Sequence, residues 1–108
     1  MSEDYGIAPR LLKKIRGKYK KCVYCHKQFR KGPDRRLAWA SIEHINNDGP
    51  MTREWNLAMC CFPCNSSKGQ KSLKTWLRSS YCTDRKKPIT PATVASVIKR
   101  YLKRTAGF

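Results

Sequence analysis

The stretch that decides the fold runs from Glu43 to Lys68, just before Gly69, and reads EHINNDGPMTREWNLAMCCFPCNSSK. It opens with an acidic residue beside a histidine, passes through a cluster of turn-forming residues, and ends in a cysteine pair followed by an asparagine. A neutral histidine can accept a proton, and carboxylate and amide oxygens bind hard cations. The stretch therefore joins a candidate catalytic site to half of a candidate metal site.

Two strands are predicted around this stretch. Leu37 to Ile45 alternates between two sides, which is typical of a strand, and it places Glu43 and His44 near the strand end on opposite faces. The turn formers of Asn46–Pro50 end this strand. Leu57–Cys60 predicts a second short strand, so the segment between the strands is a hairpin connection that is long and irregular.

The residues after Cys61 predict a helix that carries Asn65 and Lys68 in its first turns and stops at Gly69. A further short helix is predicted from the N-cap residue Ser72 to Arg78.

Amphipathic helices are predicted at both ends of the chain. Residues 8–19 place Leu11, Leu12, Ile15 and Tyr19 on one helical face. The pair Thr90–Pro91 is typical of a helix start, and it predicts a basic C-terminal helix over about residues 91–104. The fold class expected is therefore α+β, in a single domain over residues 1–108 with its core at about 20–79.

Four of the six cysteines form two CxxC pairs, namely Cys22, Cys25, Cys61 and Cys64. The acidic N-terminus does not resemble a signal peptide, and no apolar run is long enough for a membrane span, so we expect a reducing, cytoplasmic compartment and no membrane partner. In that setting paired CxxC spacings indicate zinc rather than disulfides. Four thiolates close the tetrahedral shell, which predicts a structural Zn²⁺ site.

Two alternatives to this ligand set are open from spacing alone. Cys60 could replace Cys61, although the spacing would then become CxxxC, and His26 could replace Cys25. Cys60 and Cys82 are interpreted as non-ligands, with Cys60 a buried thiol at the end of a strand.

The charge of the chain indicates a polyanionic partner. The 108 residues carry 24 Lys and Arg against 7 Asp and Glu, a formal net charge of +17. Such an excess attracts phosphates strongly and gives salt-sensitive binding to nucleic acid. We therefore expect DNA or RNA as the partner rather than a charge that serves solubility alone.

The markers CxxC, Glu43–His44, Asn56–Leu57, CxxCN and Lys68–Gly69 occur in an order that resembles the HNH endonuclease family. The resemblance covers roughly residues 22–76, about half of the chain. It implies a small ββα-metal (His-Me finger) core, which is a hairpin and one helix around a divalent ion, here with two zinc knuckles and flanking N- and C-terminal helices.

The resemblance also implies a role for each site residue. His44 corresponds to the general base, and Glu43 to the acidic residue that ligates the catalytic ion. Asn56 corresponds to the asparagine that holds the loop and orients the base. Asn65 stands where the family has a histidine or asparagine ligand, and Lys68 matches a lysine that contacts phosphate. Because Asn65 offers oxygen, Mg²⁺ or Mn²⁺ is expected as the catalytic ion rather than zinc.

The function expected is hydrolysis of DNA phosphodiester bonds. A single site cuts one strand, so the resemblance and the chain's size predict a monomer that nicks double-stranded DNA, with a dimer left open. One alternative is a non-catalytic zinc-ribbon module that binds DNA or RNA, and another is a basic component of a ribonucleoprotein. Neither alternative explains why Glu43, His44, Asn56 and Asn65 occur together.

Overall fold

Two antiparallel strands, β1 (Ala40–His44) and β2 (Leu57–Cys61), form a sheet in which Ala40 pairs with Cys61 and His44 with Leu57. The computed structural model describes residues 7–29, 40–47 and 53–105. The predicted start of the first strand at 37–39 and residues 48–52 of the connection lie outside the described residues. Within the described part, the predicted pair of strands is confirmed.

The strand β2 is buried on both faces, unlike the half-exposed β1. Its side chains alternate between two hydrophobic clusters: Leu57 and Met59 belong to one, and Ala58 and Cys60 to the other. This division follows from the two-residue period of a strand. The second strand therefore lies at the centre of the domain.

Helix α1 (Pro9–Lys18) covers the first face of β2. Ile15 is buried in a cluster with Leu57 and Met59, and the half-buried Leu11 and Tyr19 pack against it. Lys14 and Lys18 stay on the solvent side, where both approach Glu54. The predicted apolar face of the N-terminal helix is confirmed.

The strand β2 continues directly into α2 (Phe62–Lys68), with Cys61 as the N-cap residue. Pro63 lies in the first turn, where its missing N–H group costs no helical hydrogen bond. Gly69 follows the helix with φ of 51°, a conformation that side chains rarely adopt, and its N–H donates to the Asn65 carbonyl. The predicted helix after the second cysteine pair, and its stop at Gly69, are confirmed.

The second face of β2 packs on the larger cluster, which is built around Trp76. Helix α3 (Leu73–Leu77) supplies this residue and α4 (Ser80–Thr83) follows it. Tyr24 meets the Trp76 ring edge-on at 4.8 Å between centroids, and Tyr81 stacks on it at 5.9 Å. Ser72 caps α3 as predicted, since its hydroxyl accepts the Thr75 N–H at 3.2 Å.

The C-terminal helix α5 (Ser96–Thr105) begins later than the sequence predicts, so the predicted start at Thr90–Pro91 is wrong. The Thr90 hydroxyl does accept N–H groups, from Ala92 and Thr93, but they close only a local turn. The chain then leaves the helical path because the Ala95 N–H donates to the carbonyl of Val23 at 2.9 Å. A tertiary hydrogen bond to the first cysteine loop thus delays the helix.

Together these elements make a small mixed α+β structure, with two strands and five α-helices among the described residues. The longest helices have ten residues and span about 15 Å, against about 30 Å for a bilayer core. In the parts of the chain that the structure describes, no helix has the length and apolar character needed to cross a membrane.

Candidate metal site and candidate active site

The structure brings together the four cysteines of the two CxxC pairs. The sulfur atoms of Cys22, Cys25, Cys61 and Cys64 all lie within 4.8 Å of one another. Four sulfurs placed about 2.3 Å from a central zinc ion are about 3.8 Å apart, so small movements would complete a tetrahedral shell. The cluster could therefore bind a metal such as zinc.

The surroundings of the cluster suit a structural metal. Cys22, Cys61 and Cys64 are buried, and Cys25 is half-buried. Hydrogen bonds among the four thiols lower the pKa of Cys25 and Cys61 and raise the pKa of Cys22 and Cys64. The Tyr24 N–H lies 3.4 Å from the Cys22 sulfur, and the Tyr81 hydroxyl lies 3.3 Å from that of Cys64. Backbone and side-chain donors of this kind stabilise metal-bound thiolates.

The alternatives for the ligand set fall outside this cluster. Cys60 is buried in β2, where burial raises the pKa of its thiol. Cys82 is likewise buried, in α4. The His26 ring contacts the Thr93 carbonyl oxygen through Nε2, and its backbone has φ of 64°. Among the described residues, the four cysteines form the group of three or more His, Cys, Asp or Glu side chains that could hold a metal ion.

A polar hollow of about 310 Å³ lies where β1 ends and α2 passes beside it. Its lining includes Glu43, His44 and Asn65, three of the residues singled out by the sequence, together with Ile42, Asn47, Gly69 and Gln70. Consecutive strand residues point to opposite faces, yet Glu43 and His44 both border the hollow. They can do so because β1 ends at His44 and the chain turns there. The Asn47 N–H closes this turn on the His44 carbonyl at 2.8 Å.

Glu43 is 4 % exposed and has two polar partners. The Tyr24 hydroxyl donates a hydrogen bond to Oε2, and the Lys68 ammonium lies 3.2 Å from the same oxygen. Burial raises the pKa of Glu43, while the charge of Lys68 and the hydrogen bond from Tyr24 oppose that rise. A carboxylate held in this way keeps its position without a bound cation.

Lys68 is 1 % exposed and is therefore enclosed by the protein. Besides Glu43, its ammonium donates to Asn47 Oδ1 at 2.7 Å. A phosphate contact by Lys68 stays a prediction, and it would require the side chain to leave both partners. In the arrangement observed, Lys68 neutralises Glu43 and fastens the turn after β1 to α2.

Asn56 lies at the end of the 3₁₀ turn Glu54–Asn56 and is fully buried. Its Nδ2 donates to Asn46 Oδ1, and its Oδ1 accepts the Asn46 N–H, both at 2.9 Å. The Ile45 N–H donates to the Asn56 carbonyl at 2.9 Å. These three bonds hold the two residues that follow His44, which is the loop-holding geometry expected of Asn56; its effect on His44 as a base stays a prediction.

Sequence reasoning missed two members of this site, Tyr24 and Asn47. Tyr24 lies inside the first CxxC pair, so its approach to Glu43 depends on the two cysteine pairs meeting. Asn47 is one of several turn formers, and its φ of 64° is a conformation that asparagine tolerates better than most residues. Its place three residues after His44, the last residue of β1, is the signal that could have identified it.

Comparison with family models, with curated proteins and with solved structures finds no match for this chain.

Proposed function

We propose that this chain is a divalent-metal-dependent endonuclease of the HNH type, with a ββα-metal core, that hydrolyses phosphodiester bonds of DNA. The observation that carries the proposal is that Glu43, His44 and Asn65 border one open hollow. They come from β1 and α2, and Asn56 holds the turn that follows His44. A formal charge of +17 favours a nucleic-acid substrate.

His44 is the proposed general base. Hydrolysis of a phosphodiester needs a water molecule that loses a proton as it attacks phosphorus, and a neutral imidazole accepts that proton near neutral pH. His44 is half-buried and borders the hollow, but its Nε2 atom is enclosed by the protein. The proton would therefore be accepted at Nδ1, or at Nε2 after the ring rotates. The bonds between Asn56 and Asn46 limit movement of the backbone beside the imidazole.

Glu43 and Asn65 are the residues that would hold Mg²⁺ or Mn²⁺. Their carboxylate and amide oxygens are the donors that hard cations prefer. The Tyr24 and Lys68 contacts both use Oε2 of Glu43, so Oε1 is the oxygen that would meet a cation. When bound, such an ion neutralises phosphate charge and stabilises the leaving oxygen.

The four cysteines serve a structural role in this proposal. A Zn²⁺ bound to them would join the 22–25 loop to the β2–α2 junction, from which Asn65 projects. With one set of Glu43, His44 and Asn65 around one hollow, the chain would cut one strand at a time. The proposed product is nicked duplex DNA, formed by a monomer.

A second function, a non-catalytic zinc-ribbon module that binds DNA or RNA, is favoured by one specific observation. The buried Lys68 already neutralises Glu43, as expected if this carboxylate only fastens α2 to the sheet. In that case neither the hollow nor His44 would be needed for nucleic-acid binding.

Cleavage of supercoiled plasmid with Mg²⁺ or Mn²⁺, at saturating Zn²⁺, tests the proposal. We expect the wild type to produce open circles first, and His44→Ala to lose cleavage by orders of magnitude while DNA binding is retained. His26→Asn is the matched control, because it removes the other imidazole and asparagine tolerates the positive φ at that position. Equal cleavage by wild type and His44→Ala would exclude His44 as the base, and no cleavage by the wild type would favour the binding module.

A further inference from the structure

A second hollow, of about 350 Å³, lies between the 3₁₀ turn and α5, on residues that the proposed hydrolytic site does not use. We call it the aromatic–basic groove. It is lined by two aromatic residues, three cations and one aliphatic residue, namely Trp55, Tyr101, Arg100, Lys103, Arg104 and Val97.

The aromatic residues of the groove form a platform. The rings of Trp55 and Tyr101 are stacked, with centroids 6.3 Å apart and planes inclined by 23°. The guanidinium carbon of Arg104 lies 4.3 Å from the centroid of the Trp55 ring. Both aromatic residues are half-buried, so part of each ring reaches the groove.

The charge of the groove is uncompensated by the described acidic residues. None of them lines it, and Arg100, Lys103 and Arg104 make no ion pair with them. Glu54 precedes Trp55 in the chain, but its carboxylate faces Lys14 at 3.2 Å and Lys18 at 3.7 Å. Three cations beside an aromatic platform match a ligand that carries both negative charge and flat rings.

We infer that the aromatic–basic groove binds single-stranded nucleic acid, with unpaired bases against Trp55 and Tyr101 and phosphates near Arg100 and Arg104. Stacking on aromatic residues needs an unpaired base, and this combination of stacking and cations is how proteins hold single strands. The residue after Trp55 is Asn56, so the groove adjoins the segment that holds the turn beside His44. The inference extends the proposed function but does not require cleavage.

Binding of a labelled oligo(dT) strand, measured by fluorescence anisotropy without Mg²⁺ or Mn²⁺, tests the inference. We expect Trp55→Leu to weaken binding about tenfold, the loss of roughly one stacked base. The double variant Arg100→Gln/Arg104→Gln should lower the slope of log Kd against log salt by about 1.4, at about 0.7 for each single-strand phosphate.

The matched control is Lys99→Gln/Lys86→Gln, which removes the same charge from exposed positions outside the groove, one of them on α5 itself. We expect this control to weaken binding much less than the groove variants. Duplex DNA of the same length should be bound by Trp55→Leu nearly as well as by the wild type. Circular dichroism establishes that each variant is folded.

Three results separate this inference from the proposed function. Equal losses of single-strand affinity in the groove variants and the control variant would overturn the inference, even if the plasmid is cleaved. Equal loss of duplex and single-strand binding in Trp55→Leu would overturn the base-stacking part. Selective loss of single-strand binding, in a protein that cleaves no plasmid, would support the groove and refute the nuclease.

Discussion

The buried pair of Glu43 and Lys68 predicts a large loss of stability when one partner is removed. Lys68→Met keeps most of the side-chain volume but takes away the ammonium, so the Glu43 carboxylate retains only the Tyr24 hydroxyl. Since the two side chains are 5 % and 1 % exposed, water from the hollow would replace the lost partner only incompletely. Breaking a buried pair costs about 3–5 kcal/mol, against a total stability of about 5–15 kcal/mol for a typical domain.

A double variant separates the pair from the volume of each side chain. Glu43→Gln alone leaves the Lys68 ammonium buried without its counter-charge, so we expect it to destabilise the protein as well. Glu43→Gln/Lys68→Met removes both charges and should cost at least about 2 kcal/mol less than the sum of the single variants. Replacing Lys68 also removes the hydrogen bond that its ammonium donates to Asn47. This loss destabilises Lys68→Met and the double variant equally, so it cancels when the double variant is compared with the sum of the single variants.

Urea unfolding at pH 7 with saturating Zn²⁺, followed by far-ultraviolet circular dichroism, measures these differences as shifts of the midpoint. Lys71→Met is the matched control, since it replaces an exposed lysine three residues further along the chain. A cost below about 1 kcal/mol for Lys68→Met, or strict additivity in the double variant, would refute the buried pair. The lysine would then be available for the phosphate contact that the family resemblance implies.

Two further outcomes are expected. Cys22→Ser and Cys64→Ser should lose bound Zn²⁺ together with the folded circular dichroism spectrum, whereas Cys82→Ser should keep about one Zn²⁺ per chain by metal analysis; a folded, zinc-free wild type would contradict this. Burial raises the pKa of the four described tyrosines. In the unfolded chain these side chains ionise near the ordinary pKa of about 10, and in the folded protein they ionise at higher pH. The unfolded state therefore binds fewer protons above that pH, and the free energy of unfolding should fall as pH rises through about 10. The ultraviolet absorbance of the ionised phenol should appear at higher pH in the folded protein than in the urea-unfolded chain, and coincident titrations would contradict this. The residues are Tyr19, Tyr24, Tyr81 and Tyr101.

The elements that the sequence predicts correctly are those set by local chemistry. The alternation before His44, the Ser72 cap, the stop at Gly69 and the CxxC spacing each depend on neighbours within a few residues. The start of α5 could not be predicted in this way, because it depends on a hydrogen bond from Ala95 to Val23, more than seventy positions earlier. The burial of Lys68 could not be predicted locally either, because it depends on Glu43, which lies 25 residues earlier in the sequence.

The candidate metal site and the hollow share their supporting elements, and this has a consequence for how zinc would act. Tyr24 lies between Cys22 and Cys25 and donates to Glu43, while Lys68 follows Cys64 by one helical turn and pairs with the same carboxylate. A metal bound by the cysteines would therefore fix both partners of Glu43 at once. Because each contact crosses from a cysteine-bearing segment to β1, loosening the cluster would displace the carboxylate. Zinc in this domain would then do more than stabilise the chain, because it would also determine the position of the Glu43 carboxylate in the hollow.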